Sequence, residues 1–257
     1  MEVTMEIKEV ADLVTACENL VYGDWATPTP WFRGHSMGTS WRLLPSVHRG
    51  FNHLQETQMC YQFRLKACSR WPRCPAEEDL SGWVSLMRHY GLPTRILDWT
   101  ESILIAAFFA IGHEEANGHM EPAVIWALHP RRMNRLLAGL GDIPMFLEKQ
   151  GRAWARPAFN QNVEQQGVLA VQPVEIDLRM MLQQSMFTIH GERRALEELP
   201  NADVFLRKYE IPFACRNSVG KGLEMLGIRR STLFPELEYL AREIVETEKG
   251  SLRVPGQ

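Results

Sequence analysis

The run Ile103–Gly112, "ILIAAFFAIG", constrains this chain more than any other stretch. It is about ten residues long, half of what a membrane-crossing helix requires, and carries no charge, so a buried core helix is expected. The segment before it, "LPTRILDWT" (92–100), reads as a loop followed by a strand. A protein of 257 residues, 45% hydrophobic and 23% charged, has the apolar material to build a core around that helix. A single domain over 1–257 is expected, with its core between about 25 and 245.

Other segments alternate irregularly between helical and extended patterns. Residues 5–20, 51–68 and 79–90 have helical character, and Gly91 suits the left-handed end of the third. "TPTP" (27–30) stops the first helix, and "WFRG" after it reads as a short strand. "PAVIWALHP" (122–130), "GVLAVQP" (167–173), "MFTIHG" (186–191) and "VFLRKYEIP" (204–212) are further strands. The basic, Pro- and Gly-interrupted stretch 131–165 is expected to be an irregular insertion with one short helix. The C-terminal "STLFPELEYLAREIVETEK" closes the chain as a helix with a solvated acidic face. The fold class expected is α+β, with a mixed or antiparallel core sheet.

A net charge of −3 gives no global field toward nucleic acid or anionic membrane, though it leaves room for a local basic groove. Five scattered cysteines (17, 60, 68, 74 and 215) form no C-x-x-C pair, and no secretory leader precedes them. Both point to a reducing cytoplasm. A zinc site from Cys60, Cys68 or Cys74 with His48 or His53 matches no common spacing, so no metal is expected.

Three segments could carry chemistry. In "WFRGHS", Arg33 presents a rigid fork of donors beside Trp31 and Phe32, while Gly34 leaves the backbone open to a ligand and Ser36 offers a second contact. The alternative is an arginine paired with a carboxylate at the edge of the core. In "HYGLPTRILDWT", Asp98 and Thr100 share one side of a strand and Trp99 takes the other. They form a site rim, or else Thr100 caps the following helix and Asp98 pairs with an arginine. In "RMMLQQSMFTIHG", Gln183 can fix a hydroxyl, and His190 titrates near neutrality unless it is merely solvated. The sequence contains no Walker, G-x-G-x-x-G, G-x-S-x-G or H-E-x-x-H pattern.

Taken in order, these segments resemble the FRG domain family, named for the Phe-Arg-Gly that stands here as Phe32-Arg33-Gly34. The likeness runs on through "HYGLPTRILDWT" with its Ala/Phe-rich helix, then "RMMLQQSMFTIHG", and ends in "LGIRRSTLFPELEYLA", so it spans residues 31 to 241. A weaker resemblance is to the ADP-ribosyltransferases, which have a split-sheet fold. These open with an aromatic-Arg-Gly strand, follow with a Ser-Thr-Ser strand leading into a small/aromatic helix, and close with Glu or Gln at a strand start. Arg33, Asp98-Trp99-Thr100 and Gln183 stand at those places.

What this second resemblance implies is an enzyme that transfers ADP-ribose from NAD to a protein or nucleic acid, in a toxin or phage-defence setting. Arg33, Asp98, Thr100 and Gln183 would be catalytic, and Phe32, Gly34, Ser36, Tyr90, Arg95, Trp99 and His190 would bind the nucleotide. Arg33 would clamp the pyrophosphate, Thr100 would hold the nicotinamide ribose, and Trp99 or Tyr90 would wall the ring. Gln183 replaces the usual catalytic Glu, so Asp98, or another acid such as Glu192, would have to supply the charge. The other readings are a nucleotide-binding module without turnover, and a phosphate-acting enzyme such as a nuclease using Asp98 and His190.

Overall fold

The computed structural model describes residues 2–26, 29–38, 40–112 and 121–251. Thr27 and Pro28 of the expected chain-breaking stretch lie outside them. Seven strands form the centre: β1 (Met5–Glu6), β2 (Trp31–His35), β3 (Ile96–Thr100), β4 (Ala123–Leu128), β5 (Val168–Val171), β6 (Ser185–His190) and β7 (Leu206–Ile211). Their spatial order is β1-β7-β4-β2-β3-β6-β5, with β1 parallel to β7 and every other pair antiparallel. The helices around this mixed sheet are α1 (Val10–Glu18), α2 (His53–Ala67), α3 (Leu80–His89), α4 (Ile103–Ile111), α5 (Pro130–Leu137) and α6 (Lys149–Ala155). Beyond them come α7 (Leu178–Leu182), α8 (Ala202–Phe205), α9 (Arg216–Met225), α10 (Arg230–Leu233) and α11 (Leu237–Ser251). The architecture is α+β. No helix among the described residues is long and apolar enough to cross a membrane.

Strand alternation sorts the core into layers. Phe32, Ile125 and Ile211 point to the face where α4, α1 and α9 pack. On the same face of the other half of the sheet, Ile96, Phe187 and Ile189 meet Trp83, Met87 and Trp154 of α3 and α6. The opposite face is continuous across both halves and is filled by Trp31, Leu97, Trp99, Trp126 and Phe205. The apolar run of α4 is buried as expected, with Ala106, Ala107 and Ala110 fully enclosed. Gly34 explains how closely it sits. A Cβ there would fall 2.0 Å from the Ala106 carbonyl oxygen and 2.5 Å from the Ala110 nitrogen.

The two halves of the sheet barely join. β2 pairs with β4 at five positions, and β3 with β6 at five, but β2 and β3 share the single pair Phe32–Thr100. Beyond that pair the strands splay, and the gap lies between the two separate cores of the helix-covered face.

Two expectations need correcting. Residues 131–165 contain two helices, α5 and α6, rather than one in an irregular insertion. Asn134, fully buried, donates to the Ala170 and Asp142 carbonyls at 2.9 and 2.7 Å and accepts from Ala170 N–H at 2.6 Å. Phe146, Trp154 and Ala155 enter the core. At the N-terminus, the helix expected over 5–20 gives up Met5–Glu6 to an edge strand beside Tyr209 and Glu210.

Candidate functional site

The splay between β2 and β3 opens into a cleft of about 930 Å³. α4 contributes Ala106 and Phe109 to its wall, the end of α3 contributes Arg88, His89 and Tyr90, and α7 contributes Arg179 and Met180. Phe32, Arg33, Gly34, Ser36, Tyr90, Asp98, Trp99, Thr100 and Gln183 all line it, which brings together nine of the residues singled out from the sequence.

Arg33 lies in the seam itself. By alternation it leaves β2 on the same side as Trp31, yet its Nη1 donates to the main-chain carbonyl of Asp98 at 2.6 Å. That bond takes the place of the backbone pairing lost where the strands part. Its Nε donates to His35 Nε2 at 3.0 Å. His35 is buried, and that burial, with the charges of Arg33 and Arg49, holds its pKa down to about 2. The ring is therefore neutral and acts as a fixed acceptor that aims the guanidinium. Burial pulls Arg33 itself to about 10; Asp98 opposes this, while Arg88 and Arg49 add to it, and the group stays charged at neutral pH.

Asp98 is held from two sides. Arg88 donates to its Oδ2 through Nε at 2.9 Å and through Nη2, and Arg33 Nη1 stands 3.9 Å from the same oxygen. Burial alone would raise the Asp98 pKa, but the Arg88 charge and hydrogen bond, with Arg33 behind them, bring it below the ordinary value. The carboxylate is thus a permanent anion. It cannot serve as a proton donor near neutrality, though it can stabilise positive charge.

The remaining lining is cationic and aromatic. Arg179 lies 4.4 Å over the Phe234 ring and has no carboxylate partner among the described residues. Arg230 stands 5.7 Å over Tyr239. Four arginines therefore face the cleft against one carboxylate, in a chain whose net charge is −3. Half-exposed Tyr90 packs edge-on against His89 at 4.8 Å and Trp71 at 5.6 Å, and partly exposed Phe109 packs against Phe234 at 6.1 Å.

Several side chains have local work. Thr100 Oγ1 accepts from Ser102 N–H at 3.2 Å, and the cap of α4 is Ser102, not Thr100. Trp99 donates its indole N–H to Thr188 at 3.0 Å, which fixes the ring in the core. Gln183 ends α7 rather than heading β6, and its amide donates to the Leu233 carbonyl at 3.1 Å. Gly34 gives its open side to α4, as the close approach above requires.

Two expected nucleotide contacts lie elsewhere. Arg95 forms a buried two-point ion pair with Glu56, at 2.8 and 2.6 Å. His190, fully buried, shares a hydrogen bond of 2.9 Å with Thr188, and burial with the charges of His48, Arg33 and Arg95 keeps it neutral. Neither lines the cleft. Glu192 belongs to a second cavity of about 350 Å³ and is engaged by Arg194 at 2.9 Å, so it cannot stand in for a catalytic acid here.

Arg88, His35, Arg179 and Arg230 escaped the sequence reading. Arg88 sits in the last turn of α3, where basic residues are common because they complement the helix dipole, so local pattern gave no signal. His35, two residues after Arg33 on the same strand side, was the legible one.

No curated protein and no solved structure matches the chain. Residues 29–119, the stretch from β2 through α4, match the family model of the FRG domain, and the chain therefore carries an FRG domain.

Proposed function

We propose that the cleft binds a pyrophosphate-bearing nucleotide, NAD being the foremost candidate, and that the chain transfers ADP-ribose from it. The observation that carries this reading is the Arg33 guanidinium, set in the sheet seam beside Arg88 and aimed by a neutral histidine. Arg33 spends Nε and Nη1 on His35 and Asp98, so its Nη2 is the oriented donor for a dianionic pyrophosphate, and a cleft with four arginines supplies the field. Tyr90 and Phe109 offer exposed rings for a base or nicotinamide.

In the reaction, the bond between ribose C1′ and the nicotinamide nitrogen breaks, and nicotinamide leaves with the bonding pair. An acceptor nucleophile then bonds C1′ and loses its proton. Positive charge develops on the ribose, and Asp98, ionised throughout, is the carboxylate in the cleft that could stabilise it. Gln183 lines the cleft with its amide N–H on the Leu233 carbonyl, and its Oε1 would accept from a ribose hydroxyl. Modification of a cellular protein or nucleic acid would fit a toxin or phage-defence role.

A specific observation favours the second reading, a nucleotide-binding module without turnover. Asp98 is already neutralised by Arg88 and Arg33, and Gln183 carries no charge. The nuclease reading loses its basis, because His190 does not reach the cleft that Asp98 lines.

Incubation with NAD labelled in the nicotinamide ring separates the two readings. Released nicotinamide supports transfer. Thermal stabilisation by NAD or ADP-ribose without release supports the binding module. Neither response would remove NAD from consideration.

A further inference from the structure

Two apolar features of the surface stand out, one of them bordering the cleft at Tyr90. The first is a groove of about 700 Å³ along α2, floored by Met59, Phe63, Trp71 and Leu86, with Lys66 and Arg70 on its rim. Arg70 donates to the Lys66 carbonyl and to Ser69, and neither cation has a carboxylate partner among the described residues. The second is α11. Tyr239 and Glu243 tether it to the rest of the chain, through stacking on Phe234 and hydrogen bonds from Ser231 and Arg229. At 100° per residue Leu237, Leu240 and Ile244 fall within one 60° arc beside that tether, and they are 79%, 48% and 54% exposed.

We infer that α11 of one molecule docks in the α2 groove of a second copy of this chain. Both α2 and α11 have 15 residues, so each is about 22 Å long, and a stripe at i, i+3 and i+7 is the pattern by which a helix fills a hydrophobic groove. Charge agrees as well. The helix carries Glu238, Glu243, Glu246 and Glu248 against Arg242 and Lys249; Glu238 pairs with Arg242 and Glu243 with Arg229, which leaves an acidic excess to face the cationic groove rim. The contact joins unlike surfaces, so it either closes reciprocally as a dimer or propagates head to tail.

Sedimentation velocity of the full chain across the micromolar range tests the contact. Self-association that rises with concentration is expected, and it should be lost in Ile244→Glu and in Met59→Glu, each shown to be folded by circular dichroism. Should Met59→Glu fail to fold, the exposed double reversal Lys66→Glu with Arg70→Glu serves in its place. Mixing the stripe variant with the groove variant should restore one-to-one association, since one keeps the groove and the other the helix. A chain that stays monomeric up to several hundred micromolar overturns the inference. So does an oligomer that is insensitive to both variants, or a mixture that fails to associate.

Discussion

Arg33 hydrogen-bonds the main-chain carbonyl of Asp98 at 2.6 Å, across the gap where β2 and β3 cease to pair. One side chain thereby closes the sheet and presents its charge to the cleft. The structural role weighed in the sequence is present, and the proposed pyrophosphate clamp falls on the same residue. Arg33→Ala should therefore show both losses. Removal strands a carbonyl and weakens the hold on Asp98, costing about 1–3 kcal/mol in urea denaturation. Thermal stabilisation by NAD or ADP-ribose should vanish. Arg33→Lys should recover part of the stability and little of the affinity, because the fork is gone. An Arg33→Ala protein that still responds fully to NAD would show that the guanidinium does not hold the ligand.

Asp98→Asn should separate binding from turnover. With the anion removed, Arg88 and Arg33 meet an incoming phosphate without competition, so ADP-ribose affinity should rise, while any nicotinamide release should fall by about 100-fold or more. Isothermal titration and the release assay read the two effects. A fall in affinity with release unchanged would contradict this assignment.

Acid should destabilise the fold in two stages. His35 at about 2, His48 and His129 at about 4, and His190 are all pulled below the ordinary histidine value, mainly by burial. Their folded pKa values lie below the unfolded one, so the stability they contribute is present above about pH 6.5 and erodes as pH falls. Each such proton adds a slope of about 1.4 kcal/mol per pH unit. Asp98 acts below about pH 4, where the unfolded carboxylate takes up a proton before the folded one does. Urea melts between pH 7.5 and 5 should show the first stage, and His35→Gln should flatten part of it. Stability that is constant over that range would refute the neutral-histidine assignment.

Glu56→Ala should cost about 3–5 kcal/mol, because it leaves the Arg95 guanidinium buried and alone. Once folded at low temperature, the variant should bind ADP-ribose like the wild type, since neither residue touches the cleft. A selective loss of binding would return Arg95 to the ligand site.

Gly34→Ala should fail to fold or lose at least about 1–3 kcal/mol, because its methyl meets main-chain atoms of α4 that have no rotamer to yield. Circular dichroism of the purified variant settles it. Native stability would mean that α4 can move away from β2.

The local signals in the chain were those set by short-range chemistry. The apolar run of α4 and the strand at "ILDWT" could be read because periodicity and residue type mark them directly, whereas the meeting of Arg33, Asp98 and Gln183 was legible only through the family resemblance. Arg95 was misplaced for a long-range reason, since its partner Glu56 lies 39 residues away. His190 bonds Thr188, only two residues before it on the same strand face, and what a local window did not show is that this face is buried. The stretch 131–165 looked irregular because its burial depends on side chains such as Asn134 and Trp154 that meet β5 and the core only in three dimensions. Arg88 was hidden by the ordinariness of a basic residue in a last helical turn.

Mechanically, the lone Phe32–Thr100 pair makes the sheet a perforated one. A pull across the strands would tear first along that line, and the Arg33–Asp98 bond is the stitch beside it. Whatever occupies the cleft and draws Arg33 toward itself loosens that stitch. The molecule's resistance to force then becomes a gauge of its occupancy.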